Sequence, residues 1–113
     1  MIVAKFYQKQ DKGSIHMVLN GHSGAAPVGQ DLICSAATML AYTAGQAVQF
    51  LYSADKLLRK PKISISEGEA VIIATPKEEA YAETLMVFWV AQCGAHVLAK
   101  NYPEHVQLEH IKM

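Results

Sequence analysis

The sequence predicts an α/β fold, a single small domain in which one sheet is packed with two long helices. Three observations carry that expectation. Strand-like runs come in two pairs. Two longer stretches carry helical spacing. Each pair of strands is followed by a helix, so the order reads β-β-α-β-β-α-β over residues 1–113.

Ile2 to Lys9 is rich in β-branched and aromatic residues and reads as a strand. Asp11-Lys12-Gly13 is a turn signal, and Ile15 to Leu19 reads as the returning arm of a hairpin. Asn20 to Gln30 holds Gly21, Gly24 and Gly29 with Ser23 and Pro27, the composition of a loop. A long helix is expected from Asp31 to about Ala54, with Leu32, Ala36, Met39, Leu40, Ala47, Phe50 and Leu51 along one face. Ile63, Ile65 and Ala70 to Ala74 read as two strands joined through Glu67-Gly68-Glu69. Thr75-Pro76-Lys77-Glu78 has the form of a helix start, with Thr75 capping, Pro76 at the first position and Glu78 closing a capping box. That helix is expected to reach about Lys100. Leu85 to Val90 is apolar nearly all round, which predicts burial on more than one side or a subunit interface. After Pro103, Val106 to Ile111 alternates like a last strand.

Composition narrows the function classes. A chain of 113 residues, 51% hydrophobic, can bury a core without metal or disulfide staples. Lys plus Arg and Asp plus Glu both total 10, which argues against electrostatic nucleic-acid binding. Lys56, Arg59, Lys60 and Lys62 form a local basic run that reads as a solvated helix end. Two cysteines do not make a disulfide framework. Lys5, Gln8, Lys9 and Gln10 interrupt any leader-like opening, and no apolar run has the length of a membrane span. The expectation is a cytoplasmic protein with free thiols.

Chemistry concentrates in Gly21-His22-Ser23-Gly24 and Gly29-Gln30-Asp31-Leu32-Ile33-Cys34. A thiol attacks as thiolate, and a helix N-terminus favours that form through unpaired N–H groups and the helix dipole. Cys34 falls in the expected first turn of the first helix. His22 lies across a glycine-rich loop that can fold back. Its imidazole can take the thiol proton and return one to a leaving amine, and the helix N–H groups can meet an oxyanion. By spacing alone, a small core cysteine and a surface histidine explain the same residues equally well.

The segment resembles the ribosomal-processing cysteine proteases of bacteria, whose core is Gly-His…Gly-x-Asp-x-x-Cys followed by small residues. Here it reads Gly21-His22, Gly29-Gln30-Asp31 and Cys34-Ser35-Ala36-Ala37. The resemblance extends to the closing Tyr102-Pro103-Glu104-His105-Val106. It implies an α/β homodimer with a Cys34–His22 dyad and no cofactor. The implied activity is removal of a short N-terminal extension from a large-subunit ribosomal protein. Asp31 matches the family's acidic residue. It can steady His22 or bind a substrate N–H, or it can simply cap the helix. The family often carries Ser four residues after the Cys, where this chain has Thr38. Thr38 keeps a hydroxyl, which can also bond its own preceding turn. Gly21, Gly24 and Gly29 are candidates for shaping the peptide site. The loop Ala25-Ala26-Pro27-Val28 departs from the family's usual aromatic or acidic residue.

A competing reading keeps the fold without the chemistry, as a non-catalytic ribosome-associated or peptide-binding module. A redox-sensing thiol lacks an adjacent resolving cysteine. Cys93, beside Gly94 and Ala95, reads as a core residue. His96, His105 and His110 do not share one regular element, which argues against metal. His16 reads as a surface strand position. Met86, Phe88 and Trp89 are expected in the core or at a dimer seam, and Gly45 at a close helix contact.

Overall fold

The computed structural model describes residues 1–27 and 31–110. Gly29, Val28, Gln30 and the expected strand end at Ile111 lie outside the described residues. The elements are β1 (Ile2–Lys9), β2 (Ser14–Asn20), α1 (Leu32–Ser53), β3 (Lys62–Ser66), β4 (Glu69–Ala74), α2 (Tyr81–Asn101) and β5 (Val106–His110). A short 3-10 turn, Glu78–Ala80, leads into α2. The element order is the one the sequence predicts.

The strands form one mixed sheet in the order β3-β4-β2-β1-β5. β1 is parallel to β5, and the other neighbours are antiparallel. Strand alternation sends Ile2, Ala4 and Phe6 of β1, Ile15, Met17 and Leu19 of β2, and Ala70, Ile72 and Ala74 of β4 to a single face. Both helices cover that face, α1 over β4 and β3 and α2 over β5, and they pack on each other.

The buried stripe of α1 is not the one its large residues suggest. Ala37, Ala41, Ala44, Gly45 and Val48 are buried. Of the face expected from the sequence, Leu40 and Leu51 are half-buried against the core, whereas Leu32, Ala36, Met39 and Phe50 are exposed. Small residues let the helix axis approach the sheet. A Cβ on Gly45 would stand 3.1 Å from Ile63 Cγ2, so Gly45 makes a helix–sheet contact rather than a helix–helix one. The tight helix–helix approach is at Gly94, where a Cβ would meet Leu40 Cδ2 at 2.5 Å. On α2, Thr84, Phe88, Ala91 and Ala95 face inward at helical spacing. Trp89, Met86 and Val90 are about half exposed or more. Cys93 is also exposed, outside the core position expected for it. By length and composition, Glu78–Asn101 is apolar enough to cross a membrane, although no uninterrupted apolar run in the sequence suggests it.

The helix start at Thr75 is a second correction. Leu58 N–H donates to Thr75 O at 2.8 Å, Lys77 N–H donates to Lys56 O at 2.9 Å, and Pro76 bridges Leu57. Residues 75–77 are thereby held extended against 56–58, so helical geometry begins at Glu78 and no side-chain cap forms. The basic run after α1 is partly neutralised. Lys56 pairs with Glu83 at 3.2 Å, and the neighbouring Lys77 pairs with Asp55 at 2.9 Å. His16 is buried rather than at the surface. It stacks on Tyr7 with ring centroids 4.5 Å apart, and Nε2 lies 2.8 Å from the Ser14 hydroxyl.

Candidate active site

A cleft of about 450 Å³ opens where three pieces of chain meet. The loop after β2 supplies Gly21, His22 and Ala26. The first turns of α1 supply Asp31, Cys34, Thr38, Met39 and Tyr42. The β3–β4 hairpin supplies the far wall, from Ile65 to Ala70. Ile2 and Leu19 of the central strands also line it.

Cys34 is the third residue of α1, with Asp31 as the N-cap. Its thiol is partly exposed to the cleft. Asp31 Oδ1 accepts the N–H groups of Ile33 and Cys34, both at 3.0 Å. Asp31 Oδ2 accepts the Ser23 hydroxyl. Both carboxylate oxygens are therefore committed to α1 and Ser23, the helix-cap role among those the sequence left open. Hydrogen bonds to the charged form, that of Ser23 first, hold the Asp31 carboxyl at about 2, against an ordinary 3.8. The Ile33 and Cys34 N–H groups, expected to face an oxyanion, are occupied by this cap.

His22 is exposed in the loop and shares the cleft with Cys34. Its ring lies against the hairpin tip, where a Cβ on Gly68 would come 3.0 Å from His22 Nε2. Gly68 has φ +77, a left-handed conformation that suits glycine at the turn. Gly21, at φ +98, is pinned when its N–H donates to Gly68 O at 2.9 Å. Gly24 also has positive φ, but it does not line the cleft. Among the described residues the Thr38 hydroxyl bonds neither its preceding turn nor a neighbour; it sits one turn beyond Cys34 on the cleft wall.

Ser23 was not singled out by the sequence. It is 2% exposed and tied on every side. Its N–H donates to Cys34 Sγ at 3.2 Å. Its hydroxyl donates to Asp31 and accepts Ala25 N–H at 3.1 Å. Its carbonyl lies 2.8 Å from His105 Nδ1. A serine between a glycine-histidine pair and a loop gives no sequence signal for such a junction. His105, which the sequence offered as part of the closing family-like segment and as a poor metal candidate, approaches it from 82 positions away. No group of three or more metal-ligating side chains occurs among the described residues.

A family model described as cysteine protease Prp matches residues 1–107. No curated protein matches the chain. Among solved structures, the chain is similar to the essential ribosomal processing protease Prp from S. aureus in complex with a covalently linked product peptide. The two are 17% identical with a TM-score of 0.75, over 98% of this chain and 100% of that one. The S. aureus protease in complex with a substrate peptide aligns at 15% identity and a TM-score of 0.67, over 98% and 100% of the two chains. SMU.848 from Streptococcus mutans aligns at 22% identity and a TM-score of 0.69, over 100% and 96%. At these identities the structural likeness speaks for the fold.

Proposed function

The chain belongs to the cysteine protease Prp family, and on that premise we propose that it removes a short N-terminal extension from a large-subunit ribosomal protein, with Cys34 as nucleophile and His22 as general base and acid. The observation that carries the proposal is the placement of Cys34. It stands in the first turn of α1, open to a peptide-sized cleft that also holds the His22 imidazole.

The reaction follows from that placement. His22 takes the thiol proton, and the sulfur attacks the scissile carbonyl carbon. The C–N bond breaks as the imidazolium gives its proton to the leaving amine. The thioester left on Cys34 is then hydrolysed by water that loses a proton to the same imidazole. The Ser23 N–H donates to the sulfur, a contact that strengthens when the sulfur carries charge. Asp31 holds the turn that carries Cys34 and fixes Ser23 beside it. Gly21 and Gly68 keep the His22 loop against the hairpin. Thr38 and Met39 face the bound peptide from the cleft wall. Gly24, and Gly29 beyond the described residues, complete the loop in this reading.

Ribosomal processing is supported by what the S. aureus relative is said to do. The reading places the protein in the cytoplasm, acting on a protein segment, with no contact to nucleic acid or membrane. It also makes the protein a homodimer through the exposed Met86, Trp89, Val90 and Val97 of α2. Sedimentation as a single chain at micromolar concentration would contradict the dimer. The function is tested with peptides spanning an extended ribosomal-protein N-terminus. Cleavage is expected for the native chain and for neither Cys34→Ala nor His22→Ala. Cleavage that survives Cys34→Ala removes the thiol from the mechanism.

A further inference from the structure

We infer that His105 is a positioning residue for the reactive thiol, acting through Ser23 to hold the backbone N–H that reaches Cys34 Sγ. The inference rests on Cys34 being the nucleophile, as proposed above.

The His105 ring is mounted on fixed backbone. The backbone N–H of His105 donates to Tyr102 O at 2.9 Å, and its backbone carbonyl accepts Ile2 N–H at 2.8 Å. Both bonds tie the start of β5 to neighbouring elements. Nδ1 lies 2.8 Å from Ser23 O. A carbonyl can only accept, so Nδ1 carries the proton. The bond is therefore available to the neutral ring and to the charged one alike.

Ser23 turns this contact into control of the sulfur. The residue is almost fully buried, and each of its polar groups is held from a different place. The hydroxyl is fixed by Asp31, the N–H by Cys34 Sγ and the carbonyl by His105. The next residue is Gly24 at φ +76, where a Cβ would meet nothing within 4 Å. Among the described residues, nothing packs on that side of Gly24. Without His105 the Ser23 carbonyl is a buried acceptor with no partner among the described residues, a costly state that the loop relieves by shifting toward water. The N–H lies in the preceding peptide unit, so it leaves the sulfur when Ser23 as a whole shifts toward water with its carbonyl. A hydrogen bond to sulfur depends on direction, so a small shift removes it.

The test is made in a Cys93→Ser background, so that the exposed second thiol does not contribute. His105 is replaced by Ala, Asn and Gln. The Asn amide nitrogen occupies the place of Nδ1, whereas the Gln amide stands near Nε2. The rate of Cys34 alkylation by iodoacetamide and the kcat and KM for the extension peptide are measured, with the melting temperature of each variant. His105→Ala and His105→Gln are expected to lower the alkylation rate and kcat about three- to tenfold, the size of one hydrogen bond, with KM within about twofold. His105→Asn is expected to stay near the native values. Should the Ala variant melt early, the Asn and Gln pair decides the matter in its place. Native alkylation rates in all three variants, or an Asn variant as slow as the Gln variant at equal melting temperature, would overturn the inference. Alkylation needs no substrate, so this outcome is separate from any failure of the ribosomal peptide to be cut.

Discussion

Gly13 and Gly68 share a backbone conformation and differ in surroundings, which makes them a matched pair for testing how His22 is held. Gly13 has φ +64, and a Cβ there meets nothing within 4 Å. Gly68 has φ +77, and a Cβ there stands 3.0 Å from His22 Nε2. Alanine at either site carries the left-handed penalty of about 1–2 kcal/mol. For a domain of this size that lowers Tm by about 4 °C per kcal/mol. Gly13→Ala and Gly68→Ala are therefore expected to melt about 4–8 °C low, by similar amounts. Only Gly68→Ala also pushes the imidazole, by a few tenths of an ångström. Since a displacement of about 1 Å can cost about a hundredfold in rate, a loss of about three- to tenfold in kcat/KM is expected there. Differential scanning calorimetry and peptide cleavage, run on both variants, read the two effects separately. Equal activity losses at Gly13 and Gly68, or native activity in Gly68→Ala, would refute the placement of His22 against the hairpin.

Three further outcomes follow from named contacts. Asp31 sits at about 2 in the fold against an ordinary 3.8, so its contribution is complete above 3.8 and is lost as pH falls through about 2. Asp31→Asn should flatten the fall of Tm in that window, and identical Tm–pH curves for the two proteins would contradict the cap. His16 is held below its ordinary 6.5, by burial first and then by Lys9 and Lys12. Its neutral form is thus favoured by folding, stability is lost as pH falls below 6.5, and an NMR titration midpoint at or above 6.5 would contradict its burial. Phe88 is 0% exposed and Phe50 is 65% exposed. In urea unfolding Phe88→Ala should cost about 3–5 kcal/mol and Phe50→Ser less than about 0.5 kcal/mol, whereas comparable losses would reverse the stripe assigned to α1.

That last pair shows where the sequence was readable. Strand pairs and the helix after Asp31 declare themselves through period, turn residues and a cap, all of them local signals. The hairpin at Glu67-Gly68 is local in the same way. The inward face of α1 is not. The closest packing against a sheet selects Ala37, Ala41, Ala44 and Gly45, and of the large residues expected inward only Leu40 and Leu51 pack against the core, so side-chain size marks that face only in part. Residues 75–77 carry a sound helix-start pattern, but pairing with 56–58 overrides it, and that pairing is visible only in three dimensions. In the cleft, Cys34 and Asp31 were legible because they share one helical turn. Ser23, Gly68 and His105 were not, because each acquires its role from a partner on another element. Burial of His16 depends on Tyr7 across the strand pair, which periodicity alone does not reveal.

The central claim is that Cys34 is the nucleophile and that His22 activates it within the cleft. A peptide chloromethyl ketone that copies the sequence of an extended ribosomal-protein N-terminus, followed by intact-mass and fragment analysis, tests it directly. A single adduct on Cys34, formed far more slowly in His22→Ala, is the predicted result. Labelling of Cys93 in place of Cys34, or labelling of Cys34 at a rate indifferent to His22, would contradict the account.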